Sequence, residues 1–69
     1  MKYRDMVYLL FGQAMPALDP GVRGDITSYL AESEWGLAMD LLLWSINEQS
    51  IPVDQGLLSE VRASRMTPA

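Results

Sequence analysis

Along this chain apolar residues recur at three- and four-residue steps, and alternation at period two never lasts beyond a few positions. That pattern predicts helices and no sheet. Tyr3, Met6, Val7, Leu10 and Ala14 share one helical face, which predicts a first helix from about Tyr3 to Gln13. The Met15-Pro16 step closes it, because the residue before a proline is driven out of the helical region. Asp19-Pro20 reads as an N-cap followed by proline at the first helical position. The second helix, about 20–31, is expected to bury Ile26, Tyr29 and Leu30, while Gly21 and Gly24 each cost it up to about 1 kcal/mol against alanine. Ser33 is the expected cap of a third helix, about 34–49, and Asp54 of a fourth, about 55–65. Val53 and Leu58 are spaced for a hydrophobic staple at that last start. Ile51-Pro52 imposes an extended step between the last two helices, so they are expected to run antiparallel. The fold class is all-α: one small domain over 1–69, a bundle of about four helices.

The third helix carries both tryptophans, and at about 100° per residue they point in opposite directions. Around Trp35 the residues Ala38, Met39, Leu42 and Ile46 make a stripe of core-facing width. The opposite side holds Leu37, Asp40, Leu41, Trp44 and Glu48, a mixture of large apolar and acidic groups. Two accounts of that side stand open. Neighbouring helices cover it and Trp44 and Leu41 belong to the core, or it is an exposed apolar strip rimmed by carboxylates, the anatomy of a partner surface with an aromatic anchor.

Charge sharpens the second account. The 69 residues carry a net charge of −4, and the bases gather at the two ends. From Asp25 to Glu60 there are seven acids (Asp25, Glu32, Glu34, Asp40, Glu48, Asp54, Glu60) and no Lys or Arg. Helix N-termini account for Glu34 and Asp54 but not for so complete an absence of bases. Such a field repels nucleic acid and attracts basic proteins. The expected partner is therefore a basic protein, with no nucleic acid and no membrane.

Catalytic chemistry is poorly served. Without His or Cys there is no imidazole or thiolate catalysis, no disulfide and no zinc or haem ligation. No glycine-rich phosphate loop is present, Glu32 and Glu34 diverge on a helix, and Asp54 lacks the spaced acids of a calcium loop. No catalytic residue, cofactor or metal is expected, and the chain is not expected to be an enzyme. The segment Met6 to Phe11 after Lys2 and Arg4 has the outline of an export signal. Its apolar run is six residues against the roughly 7–15 required, and Asp5 sits where the basic segment should run straight into it. Leu41 to Trp44 is the longest apolar run elsewhere, far short of the ~20 residues of a membrane span. A cytoplasmic protein is expected.

The stretch Glu32-Ser33-Glu34-Trp35-Gly36-Leu37-Ala38-Met39-Asp40-Leu41-Leu42, followed by Ile46-Asn47-Glu48 and Ile51-Pro52-Val53, resembles the MafI family of small helical immunity proteins. These belong to bacterial polymorphic-toxin and contact-dependent inhibition systems. The family pattern is a Gly-Glu-aromatic-Gly-Leu-Ala helix, a Leu-rich segment with a Glu, then Ile-Pro-hydrophobic before a last helix. Here Ser33 stands in place of the first Gly and Trp44 lies within the Leu-rich segment, while Glu34, Trp35 and Gly36 match. The resemblance covers about residues 30–60. It implies a cytoplasmic antidote that binds one cognate toxin domain 1:1, often a nuclease such as an EndoU-like ribonuclease, and it brings no catalytic residue. On that basis the expected partner surface comprises Glu34, Leu37, Asp40, Leu41, Trp44, Glu48 and Asp54. The carboxylates would meet Lys or Arg in a basic substrate groove, and Trp44 with Leu41 would supply the anchor. The alternative is a helical module that forms a homodimer through Leu37, Leu41 and Trp44.

Overall fold

Prolines and left-handed serines set the breaks between helices in the computed structural model, which describes residues 2–66. Met1 and residues 67–69, the ends of the expected 1–69 domain, lie outside the described residues. The chain forms α1 (Tyr3–Ala14), a 3₁₀ turn (Met15–Ala17), α2 (Pro20–Ala31), α3 (Trp35–Gln49) and α4 (Gln55–Met66). It is the all-α four-helix bundle that the periodicity predicts.

The end of α1 differs from the expectation. Met15 stays helical (φ −48°, ψ −46°) despite the proline that follows it. Pro16 falls in the first turn of the 3₁₀ segment, where its missing N–H leaves no bond unmade, and the break comes at Leu18 (ψ 145°). Pro20 opens α2 as predicted, and the Asp19 carbonyl accepts the Arg23 N–H at 2.9 Å. The Asp19 side chain makes no cap bond; its Oδ2 accepts from Gln49 Nε2 at 3.5 Å. Ile26 and Leu30 are buried, and Tyr29 is half-buried.

Ser33 does not cap α3. It adopts a left-handed conformation (φ 59°) and closes α2 instead. Its N–H reaches Leu30 O at 3.1 Å, and the Glu34 N–H reaches Tyr29 O at 2.8 Å. These are the paired 5→2 and 6→1 bonds of a Schellman motif, which satisfy carbonyls that the helix end leaves open. Only Glu32, Ser33 and Glu34 separate the two helices, and the motif claims Ser33 before it can serve α3. The N-cap position of α3 is Glu34, which makes no side-chain cap bond.

A second left-handed serine, Ser50 (φ 50°), ends α3. The Ser50 and Ile51 N–H groups both reach Ile46 O, the latter at 3.0 Å, and Ile46 and Ile51 are both buried. Pro52 then bars further helix. Asp54 caps α4 as the sequence predicts, with Oδ1 accepting the Leu57 N–H at 3.1 Å and its carbonyl accepting that of Leu58 at 3.0 Å. Val53 is half-buried against the core that holds Leu58, as the staple requires.

One core runs through the molecule, with Val7 and Leu10 of α1, Ile26 of α2, Ala38, Met39 and Leu42 of α3 and Val61 of α4 all sealed from solvent. The sequence stripe on α3 is that core face, with Trp35 half-buried at its start and its ring 5.9 Å from that of Tyr8. Ser45 is buried too and donates to Leu41 O at 2.9 Å, so its hydroxyl is satisfied. The helix α1 packs on both α3 and α4, and α2 packs chiefly on α3. Arg65 late in α4 bonds Asp40 early in α3, while Leu58 faces Ile46 and Ser50 across a groove, so α3 and α4 run antiparallel. The groove between them is lined by Leu43, Asn47 and Arg62 as well. A bond from Asp54 N–H to Gln13 Oε1, 2.7 Å, draws the start of α4 onto the end of α1.

Candidate functional site

The side of α3 opposite the core is not covered. Trp44 is 58% exposed and Leu37 48%, and Asp40 and Glu48 are exposed between and beyond them. Leu41 is half-buried and packs against the core. The account in which neighbouring helices enclose both sides of α3 therefore fails at Leu37 and Trp44 and holds in part at Leu41. With α2 and α1 on the inner side and α4 held beyond a groove, three short helices do not surround a fourth.

Helical geometry makes these five residues one strip. Leu37, Leu41, Trp44 and Glu48 follow each other at steps of four, three and four, so they lie along one face over about 16 Å. Asp40 flanks the strip on the side of α4. There Arg65 bonds both its carboxylate and, at 2.8 Å, the hydroxyl of Tyr3, which joins α1, α3 and α4 through one guanidinium. Partial burial works against the charge of Arg65. The hydrogen bonds to Asp40 and Tyr3, with the attraction of both groups, outweigh it, so the guanidinium is held above its ordinary value.

The other two expected residues lie elsewhere. Glu34 is exposed at the N-terminal end of α3, ahead of the strip. Asp54 is separated from it: it lines the groove between α1 and α4 with Leu9, Leu57 and Glu60, and its Oδ1 is engaged as the α4 cap. Of the seven acids from Asp25 to Glu60, Asp40 holds Arg65 and Asp54 holds the cap. Asp25, Glu32, Glu34, Glu48 and Glu60 are exposed and make no ion pair or side-chain hydrogen bond among the described residues. Most of the acidic charge seen in the sequence is therefore open to a partner.

Two features were not foreseen. Arg65 meets Asp40 across 25 residues of sequence and Tyr3 across 62, pairings with no local signal. Tyr8 and Leu9 on α1 are exposed, and Tyr8 with Met15 walls an apolar groove of about 460 Å³ floored by Phe11 and Leu30. Tyr8 and Leu9 fall off the core stripe of the first helix, which is the signal that would have marked them.

Among the described residues no helix is long and apolar enough to cross a membrane. No group of three acidic, His or Cys side chains is gathered there for a metal. Comparison with protein-family models, with curated proteins and with solved structures finds no match to this chain. Fold and face together define a small acidic all-α protein with an exposed tryptophan strip on one helix.

Proposed function

We propose that this chain is an immunity protein of the MafI type that binds one basic toxin domain in the cytoplasm and neutralises it by occlusion. The observation that carries the proposal is the outer face of α3, where Leu37 and Trp44 are open to solvent and the carboxylates of Glu34 and Glu48 have no ion pair among the described residues. A contiguous apolar strip that ends in a tryptophan and carries charge at its rim has the composition of a binding hot spot. The unpaired acids favour a partner with a basic groove, as in a nuclease, an EndoU-like ribonuclease among them. The left-handed serine adds support from the sequence side: Ser33 occupies the position where the family pattern has glycine, the residue for which that conformation is free of strain.

Pairing of two copies through the same strip would set Glu48 and Glu34 of each against acids of the other, which opposes the homodimer alternative. The test is co-expression with the variable C-terminal domain of a large secreted protein encoded beside this chain. Survival of the cells and a salt-sensitive 1:1 complex on size exclusion are the expected result. Cell death with separate elution overturns the proposal, and a dimer of the isolated chain at micromolar concentration favours the alternative.

A further inference from the structure

On the outer face of α3 the exposed Trp44 stands between two carboxylates, Asp40 one turn before it and Glu48 one turn after. An apolar pocket that swallowed the indole would pull both acids from water, and a carboxylate buried without a partner is strongly unfavourable. What seats on this tryptophan must therefore also bring positive charge. The face already receives one arginine, Arg65 at Asp40. Glu48, two turns further along, has no ion pair among the described residues. Side chains on a helix lean towards its N-terminus, which carries the Glu48 carboxylate back over the turn of Trp44.

We propose that Trp44 and Glu48 form a receiving site for an arginine of the basic partner, a step that rests on the proposed function above. The guanidinium lies on the face of the indole and donates hydrogen bonds to the Glu48 carboxylate. Arginine suits the site better than lysine, because its planar group stacks on an aromatic ring, is less strongly hydrated and presents two parallel donors to a carboxylate. The partner's arginine then lies about 12 Å along the helix from Arg65, the rise of eight residues. Trp44 thus acts as a platform for a cation, and the neighbouring acids become part of the site.

Two-dimensional NMR of the intact protein tests this at low ionic strength. The probes are an acetylated, amidated peptide of four Gly-Arg repeats and its Gly-Lys counterpart. The indole N–H of Trp44 is followed, with that of half-buried Trp35 as the internal control. The expected result is a shift of the Trp44 signal and binding several-fold tighter to the arginine peptide. Glu48→Gln and Trp44→Leu each weaken it about twofold to fivefold, and Glu60→Gln, on the far groove, does not. Salt-sensitive binding of both peptides with Trp44 unmoved, or Glu48→Gln no weaker than Glu60→Gln, overturns the arginine site and leaves the basic partner standing. No binding of either peptide overturns both.

Discussion

Replacing Ser33 separates two physical roles for one residue by the sign of a stability change. As the N-cap of α3, Ser33 would lose only a few tenths of a kcal/mol to glycine and about 1 kcal/mol to alanine. In the structure it sits left-handed at φ 59° after α2, and its side chain makes no hydrogen bond among the described residues. A non-glycine residue in that conformation bears about 1–2 kcal/mol of strain, and glycine removes it while losing about 0.5–1 kcal/mol to the freedom of the unfolded chain. Ser33→Gly should then stabilise by roughly 0.5–1 kcal/mol. Ser33→Ala keeps the strain, breaks no bond and should stay within about 0.5 kcal/mol of the parent. For a domain of this size 1 kcal/mol moves the midpoint by about 4–8 °C, so thermal unfolding by circular dichroism resolves both. A lower midpoint for Ser33→Gly, or a loss of several degrees for Ser33→Ala, refutes the Schellman assignment and returns Ser33 to the cap of α3.

Other substitutions probe the remaining joints. Asp54→Ala removes the Oδ1 bond to the Leu57 N–H and should cost about 0.5–2 kcal/mol in denaturant unfolding. Gly12→Ala, with open space around its new methyl, should raise stability by up to about 1 kcal/mol; Gly56→Ala, whose methyl would meet Asp54 Oδ1 at 3.1 Å, should gain clearly less. A double-mutant cycle on Asp40→Asn and Arg65→Gln should give a coupling below about 1 kcal/mol that shrinks in high salt, because Asp40 is largely solvated and Arg65 remains in contact with water. Trp44→Leu should cost under about 1 kcal/mol, since leucine retains most of the modest apolar area the indole buries, whereas Leu42→Ala in the sealed core should cost about 2–5 kcal/mol. Equal losses at the two positions would place Trp44 in the core.

The parts of this molecule that the sequence made legible are those governed by neighbours a few residues away. Helical spacing marked the core face of α3, and Asp54 with Val53 and Leu58 announced the start of α4, because cap and staple are local devices. Ser33 was misassigned for a related reason. A serine between two helices suits either end in composition, and only the backbone bonds to Tyr29 and Leu30 decide which helix takes it. The exposed strip was half legible: geometry put Leu37 and Trp44 opposite the core, but whether another helix covered them depended on how α2 and α4 pack. The meeting of Arg65 with Asp40 and Tyr3, and the bond from Asp54 to Gln13, join distant segments and follow from the assembled bundle alone. The Arg65 contact also explains why Asp40 is engaged while Glu48 is open; the Asp54 carboxylate is engaged locally, as the cap of its own helix.

The most direct test of the α3 face as the toxin-binding surface is amide hydrogen exchange on the complex with the cognate basic domain, mapped at residue resolution. Protection concentrated from Leu37 to Glu48, and weakened by Trp44→Leu, is the predicted footprint. Protection centred on Tyr8, Met15 and Leu30 in the groove between α1 and α2, with α3 exchanging as in the free protein, would contradict it.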